Sequence, residues 1–201
     1  MPESNLQFAF LFDRVGRLVR GMQHSGGLNP AQWEALRYLA HANRFSRRPG
    51  ALAEFLGSTR GTVSQTLIAL ERKGLIERKP DPSDARGTNV ELTHEGHALI
   101  AKDPLQAFED VARELGDQDR QSLHVGLLGL LRSLQRRDKS RAFGVCRSCR
   151  HLEENPDAKS AASLLCALTG ETLSADETDQ IGRDFEAGVD CAPLIPSTSS
   201  G

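Results

Sequence analysis

The sequence predicts a mainly helical protein with one small β-hairpin, because a helix, a glycine stop and a hairpin follow one another between Ser58 and Arg86. Apolar residues in the first part of this block recur at helical spacing, at Val63, Leu67 and Leu70. Gly74 then ends the helix, since glycine readily takes the left-handed conformation that other residues avoid. Amphipathic helical patterns on both sides of the block supply the rest of the fold.

The opposite face of the Ser58 helix is short and polar. It carries, besides the capping residue, the side chains of Arg60, Thr62, Ser64 and Gln65. Such groups donate to and accept from base edges in the major groove of DNA. After Gly74, residues 75–79 are predicted as a strand, 80–87 as a long polar loop and 89–93 as the return strand. A polar-faced helix beside a basic hairpin indicates a winged helix-turn-helix.

The helices before the block are predicted from apolar spacing and capping signals. An apolar stripe covers residues 5–22, so this helix must bury one face. Asn29 caps the next helix, with Pro30 at its first position and Gln32 able to complete a capping box. Trp33, Leu36 and Leu39 form its buried side. A short helix over 51–56 pairs with the Ser58 helix as the helix-turn-helix.

The helices after the hairpin are the reason to expect a dimer. Thr93 caps the first of them, and Pro104 kinks it or starts another. The last covers 118–137, with a leucine stripe at 123, 127, 130, 131 and 134. The first and last helices are too apolar for one small lobe, which predicts a two-fold homodimer. Its two Ser58 helices would enter successive major grooves.

Composition and charge limit the classes of protein. The chain has 201 residues, of which 38% are hydrophobic and 26% charged, as in soluble globular proteins. No apolar run approaches the ~20 residues of a membrane span, and the start lacks a secretory pattern, so a cytoplasmic location without membrane contact is expected.

The net charge of −2 is the sum of two oppositely charged parts. Residues 1–150 hold 23 basic and 17 acidic residues, whereas residues 151–201 hold 2 basic and 10 acidic residues. We expect a phosphate-binding domain over 1–140 and a separate lobe over 141–201.

Several blocks of the chain resemble the MarR family (multiple antibiotic resistance regulators). They are L-N-P-A-Q-W-E-A-L-R-Y-L, A-L-A-E-F-L, T-V-S-Q-T-L-I-A-L-E-R-K-G-L-I-E-R, D-P-S-D-A-R and L-T-H-E-G, in that order within residues 5–138. The resemblance implies a helical dimer with winged helix-turn-helix lobes that binds palindromic promoter DNA. Regulators of this kind are usually repressors, relieved by a small-molecule effector or an oxidant.

The resemblance also implies roles for individual residues. The major-groove side chains would be those of the polar face, Arg60, Thr62, Ser64 and Gln65, after the capping Ser58. Arg86 at the hairpin tip would enter the minor groove, where negative potential attracts arginine, with Asp84 holding its guanidinium. Arg78 and Lys79 would contact phosphate.

The segment after residue 140 departs from that family and holds all four cysteines, Cys146, Cys149, Cys166 and Cys191. Their spacing is C-x2-C-x16-C-x24-C. In a cytosolic chain such a set is more often a metal site than a disulfide pair. The segment also has few large apolar residues, so a cross-link would stabilise it. We expect all four cysteines to bind a metal or cluster, with a redox dithiol as the alternative.

The choice between zinc and an iron–sulfur cluster stays open at this point. Zinc knuckles usually carry a glycine after the second cysteine, where this chain has Arg150. The all-cysteine set therefore favours a [2Fe–2S] or [4Fe–4S] cluster, with zinc as the alternative. Arg147, Arg150 and His151 would lower the thiol pKa values. The state of the cluster would then determine how the lobe packs on the long dimer helices. This packing would in turn determine the spacing of the two Ser58 helices.

Two other functional classes are compared with the cluster-based sensor. An enzyme is not expected, because the chain has no glycine-rich phosphate loop, nucleophile elbow or H-E-x-x-H motif. A small-molecule-responsive repressor, whose cysteines form a structural zinc site or a thiol switch, is the alternative to a cluster-based sensor.

Overall fold

A computed structural model describes residues 5–81, 84–138, 140–154 and 164–188. The helices are α1 (Asn5–Met22), α2 (Pro30–His41), α3 (Pro49–Phe55), α4 (Arg60–Arg72), α5 (His94–Ile100), α6 (Leu105–Arg113), α7 (Asp117–Arg137) and α8 (Ala175–Thr178). The strands are β1 (Ile76–Asp81), β2 (Asp84–Leu92), β3 (Gly144–Val145), β4 (Leu152–Glu154), β5 (Leu164–Cys166), β6 (Glu171–Leu173) and β7 (Ile181–Gly182). The predicted fold class, mainly helical with a small β-wing, is confirmed. No helix in these ranges is long and apolar enough to cross a bilayer.

One hydrophobic core holds α2, α3, α4 and the hairpin together. Trp33, Leu36 and Leu39 are buried on α2, as the helical spacing predicts. Val63 and Leu67 on α4 and their stripe neighbour Leu70 are at most 1% exposed. Because the apolar stripe of α4 is fully used in this core, its polar face is left on the outside of the lobe.

Capping signals were mostly sufficient to locate the helix starts. Asn29 accepts a hydrogen bond from the Gln32 N–H at 2.9 Å, and the Gln32 side chain accepts one from the Asn29 N–H, which completes the predicted capping box. Thr93 caps α5 as predicted. The prediction for α4 was wrong by one residue: Thr59, not Ser58, is the cap, because its side chain accepts from the Thr62 N–H at 3.1 Å.

The β-wing is longer, and its loop shorter, than the sequence suggested. β1 and β2 pair antiparallel from Ile76 opposite Leu92 to Asp81 opposite Asp84, with a bulge between Pro80 and Asp81. Proline is tolerated here because a two-stranded ribbon has free edges that need no N–H donor. The ladder thus extends through residues that composition alone marked as a loop.

The described part of the cysteine lobe is a small unit of short strands with one short helix, α8, and it follows α7 in the chain. β3 pairs with β7, and β4, β5 and β6 form a second antiparallel sheet in that order. Phe143, just past the expected boundary at residue 140, belongs to the winged-helix core together with Ile181. Its ring meets Phe55 edge-on at 5.2 Å between centroids. The lobe is therefore packed against the winged-helix body.

Gly96 is required where α5 crosses the start of β1. A Cβ atom at this position would lie 2.2 Å from the carbonyl oxygen of Leu75. We expect Gly96→Ala to lower the free energy of unfolding by about 3 kcal/mol, because backbone rather than a flexible side chain must move. Gly50→Ala is the matched control, since the added methyl meets nothing within 4 Å in α3. Equal urea midpoints for the two variants would show that this contact is not tight.

Candidate nucleic-acid interface and cysteine centre

The outer face of α4 presents a row of polar side chains to solvent. Arg60, Thr62 and Gln65 are exposed and Ser64 is half-buried, outside the buried stripe of the helix. The Thr59 and Thr62 hydroxyls lie 2.9 Å apart at the N-terminal end. This face combines a cation with neutral donors and acceptors, the set that can contact base edges. Ser58 is half-buried and precedes the cap, close to the amide-rich start of the helix.

The wing holds its basic residues in ion pairs. The Arg78 Nε lies 3.2 Å from Glu71 Oε2 on α4. Lys79 Nζ lies 2.6 Å from Glu91 Oε2 and 2.8 Å from Glu77 Oε1, and these hydrogen bonds raise the pKa of Lys79. Both cations are exposed or nearly so, so phosphate can compete for them in solution. The side chains of Asp84 and Arg86 lie outside the described residues; only their place in β2 is defined.

The outer helices expose the apolar faces from which a dimer was predicted. On α1 the exposed large residues include Phe8, Phe10, Leu11 and Leu18, each more than half exposed. On α7 they are Leu123, Val125, Leu127, Leu131 and Leu134. Two helices with this much exposed apolar surface are typical of an association surface.

Three cysteines line one small cavity between the cysteine lobe and the winged-helix body. Cys146, Cys149 and Cys166 are free thiols and face a space of about 40 Å³. Thr169 and Gly182 also line it. As they stand, no three His, Cys, Asp or Glu side chains in the described ranges form a metal-binding group. Cys191, the fourth predicted ligand, lies outside the described residues.

Two similar turns present the thiols to this cavity. In the first, the Cys149 N–H donates to the Cys146 carbonyl at 2.9 Å. In the second, the N–H groups of Thr169 and Gly170 donate to the Cys166 carbonyl at 3.2 and 2.8 Å. Gly170 has a φ of 72°, and it supplies the left-handed glycine that is missing at Arg150. The second turn thus resembles the first, with Thr169 at the position that Cys149 has in the first turn. Its sequence pattern, C-x2-T-G, was a signal that could have identified it.

The surroundings of Cys146 differ from those expected. Burial raises the pKa of its thiol to about 11, although a hydrogen bond from Asn43 opposes this rise. Arg147 pairs with Asp179 at 2.6 Å. Arg150 pairs with Glu186, and His151 Nε2 lies 3.5 Å from the same carboxylate. The expectation that these residues lower the thiol pKa is wrong for Cys146, because burial has the largest effect on it and carboxylates already pair with both arginines.

The cysteine lobe contacts the loop between α2 and α3. The Asn43 N–H donates to the Ile181 carbonyl at 3.1 Å, and the Arg183 N–H donates to Ser46 Oγ at 2.7 Å. Arg44 reaches across to Glu177 and to the Thr172 carbonyl. The sequence predicted that the cysteine lobe packs on the long helices. It did not predict these contacts with the α2–α3 loop, because contacts between residues 43–46 and 172–183 have no local sequence signal.

A family model for the MarR family matches residues 26–87, which span α2, α3, α4 and most of the wing. The winged-helix lobe of this chain belongs to the MarR family. The observed element order, with helix-turn-helix followed by wing, agrees with this assignment. The resemblance stated from five sequence blocks is therefore confirmed for this lobe.

Curated relatives and solved structures are similar to a longer part of the chain than the family model matches. Transcriptional repressor MprA of Escherichia coli is 32% identical over 79 residues, covering 39% of this chain and 45% of the relative. HTH-type transcriptional repressor YetL of Bacillus subtilis is 31% identical over 96 residues, covering 46% and 58%. The structure of S. aureus MepR in DNA-binding conformation superposes with a TM-score of 0.57 at 26% identity, covering 64% of this chain and 98% of MepR.

These comparisons leave the cysteine lobe outside the MarR match. The chain spans about half the length of the first curated relatives it matches. The superposition accounts for nearly all of MepR but only 64% of this chain. These two relatives are named as transcriptional repressors, which supports the expectation that this chain is not an enzyme.

Proposed function

We propose that this protein is a transcriptional repressor that binds palindromic promoter DNA as a homodimer in the cytoplasm. The observation that carries the proposal is the exposed polar face of α4, held outward by a fully buried apolar stripe and flanked by the β-wing. The repressors MprA and YetL, to which the chain is similar, support the direction of regulation.

Each part of the interface has its own proposed contact. Arg60, Thr62, Ser64 and Gln65 read base edges in the major groove. Ser58 meets a phosphate at the start of α4, where free amides and the helix dipole favour an anion.

The wing would add contacts to the neighbouring backbone and groove. Arg78 and Lys79 exchange their carboxylate partners for phosphates. Arg86, oriented by Asp84, enters the minor groove.

A selection experiment tests the DNA-binding proposal. The full chain is incubated with a library of random duplexes at physiological salt, and bound duplexes are sequenced after several rounds. We expect enrichment of an inverted repeat, because a two-fold dimer presents the same face twice. Recovery of sequences no different from the input library would exclude a sequence-specific regulator.

The homodimer proposal rests on the exposed apolar faces of α1 and α7. We expect the double variant Leu127→Asp, Leu134→Asp to be monomeric by light scattering, because two buried charges per helix cannot be desolvated at the interface. Gln121→Asp, on the polar side of α7, should remain dimeric as the control. A wild-type chain that is already monomeric at micromolar concentration would contradict the proposal.

The cysteine cavity supports a metal centre held by the thiols of Cys146, Cys149 and Cys166, with Cys191 as the fourth ligand. The space between the thiols, about 40 Å³, is small, which favours one ion over the eight atoms of a [4Fe–4S] cube. The two facing knuckle turns suit tetrahedral zinc, which would stabilise the lobe. Zinc is therefore the centre we propose, and the iron–sulfur cluster favoured by the cysteine spacing is the alternative.

Metal analysis of anaerobically purified protein separates these two centres. One zinc per chain and no visible absorption is expected for the single-ion site. Iron with acid-labile sulfide, and an absorption band that disappears on oxidation, would instead support an iron–sulfur sensor.

Regulation by a small-molecule effector is a second candidate function, and a separate cavity supports it. A larger cavity of about 240 Å³ lies between α7 and the cysteine lobe, lined by apolar side chains such as Leu128, Phe143 and Phe185 and by Gln135. Its size suits a small aromatic ligand. Release of the selected duplex by a phenolic compound, unchanged in a variant that lacks the metal but lost in Leu128→Trp, which fills the cavity, would assign the signal to this cavity.

A further inference from the structure

We propose that Asn43 of the winged-helix body is a positioning residue for the cysteine centre and couples its metal occupancy to DNA affinity. The inference rests on the metal centre proposed above. It assigns to the centre a partner that lies outside the cysteine lobe, at the end of α2.

Asn43 is a buried amide aimed at a sulfur atom. It is 4% exposed, and its Nδ2 lies 3.3 Å from Cys146 Sγ. Its Oδ1 has no hydrogen-bond partner within the described residues. A neutral thiol is a weak acceptor, whereas a metal-bound thiolate is anionic and forms a stronger, charge-assisted hydrogen bond. An asparagine buried at this distance from the sulfur therefore favours the metal-bound form of Cys146.

Gly182 leaves room for the Asn43 side chain next to Cys146. Gly182 lies in β7 beside Cys146, and a Cβ at this position would be 3.1 Å from Cys146 Sγ. Asn43 Nδ2 would be 3.8 Å from the same Cβ. The absence of a side chain at Gly182 therefore lets the Asn43 amide reach the sulfur. Groups that contact metal ligands in this way typically change metal affinity 10–100-fold.

The same contact leads directly into the DNA-binding elements. Cys146 is tied to residues 180–182 by its N–H bond to the Gln180 carbonyl and by the β3–β7 pair. Asn43 continues into the loop whose Arg47 carbonyl accepts the Val90 N–H of the wing at 2.7 Å. This loop then enters α3, the first helix of the helix-turn-helix.

A shift at Cys146 is thus adjacent to a loop that is hydrogen-bonded to the wing and leads into α3, the helix that packs on α4. If the metal-bound lobe holds the loop in the DNA-binding arrangement, metal and DNA strengthen each other's binding. By linkage the two effects must be equal in size.

The test uses the full chain, Zn²⁺ as the probe and two buried asparagines. Zinc affinity is measured by competition with a chromogenic chelator, with and without the selected duplex. We expect Asn43→Asp to bind zinc at least about 10-fold more weakly, because it replaces the donor by a carboxylate next to the thiolate. Asn89→Asp, at a buried asparagine of the wing, should leave zinc affinity unchanged. Asn43→Ala, which removes the donor without adding a charge, is the second variant.

The outcomes distinguish the inference from the proposals on which it rests. In the wild type the duplex should raise zinc affinity by the same factor as zinc raises DNA affinity, and in both Asn43 variants this factor should approach one. Variants that keep wild-type zinc affinity and the full coupling would overturn the role of Asn43 while leaving the metal centre intact. A wild-type chain that binds duplex but no zinc would overturn both the centre and the inference, yet leave the DNA-binding proposal standing.

Discussion

Replacing Arg60 and Arg86 together by alanine is expected to weaken binding of the selected duplex at least about 100-fold. In a homodimer the double variant removes four arginine side chains from the DNA, two in the major groove and two in the minor groove. A good arginine contact to a base is worth about 1–3 kcal/mol of discrimination, so even the lower value exceeds a 100-fold effect when all four are removed. Fluorescence anisotropy over a salt series measures both the affinity and its dependence on ionic strength.

The salt dependence separates a direct contact from a folding defect. We expect the slope of log affinity against log salt to become shallower, by about one for each phosphate that the variant no longer neutralises. The matched control is Arg113→Ala with Arg147→Ala, which removes the same charge at exposed positions on α6 and in the cysteine lobe. If both double variants weaken binding equally, net charge rather than the α4 and wing geometry determines DNA affinity.

Replacing Cys149 by serine is expected to remove stoichiometric metal from the protein. A hydroxyl binds zinc far more weakly than a thiolate, and structural zinc supplies about 10–16 kcal/mol of binding free energy in small domains. The described part of the cysteine lobe has a small apolar core of its own, so it should lose protection from hydrogen exchange in the variant. Elemental analysis and exchange mass spectrometry measure the two effects.

The neighbouring Ser148 provides the control for this substitution. Its hydroxyl is buried without a partner in the described structure, so Ser148→Ala should retain both metal and exchange protection. Cys191→Ser tests the fourth ligand, and we expect it to lose metal as Cys149→Ser does. Wild-type metal content in Cys149→Ser would contradict the proposed centre.

Local signals in the sequence were sufficient to predict most helices of the winged-helix lobe. The capping box at Asn29 and Gln32 fixes the start of α2, because both partners lie within one turn of helix. The bounds of α1 agree with the predicted 5–22. The wing was less predictable, since the ladder between β1 and β2 depends on cross-strand hydrogen bonds that override the turn-forming residues near Pro80.

Contacts between residues far apart in the chain could not be predicted from the sequence. The polar face of α4 follows from helical periodicity, but which loop meets the cysteine lobe depends on docking. Asn43 and Cys146 are 103 positions apart, and no spacing rule joins them. The cysteine spacing identified a set of ligands, while the threonine in the second knuckle turn became recognisable only beside the first turn.

Hydroxyl-radical footprinting of the full chain on the selected duplex tests the central claim most directly. Two copies of the α4 face, each with its wing, should protect two patches about one helical turn, ~10 base pairs, apart, with weaker protection in the flanking minor grooves. Methylation interference should mark guanines in both major grooves. A single protected patch, or protection that does not depend on the duplex sequence, would contradict a two-fold arrangement of the Arg60–Arg72 helices on DNA.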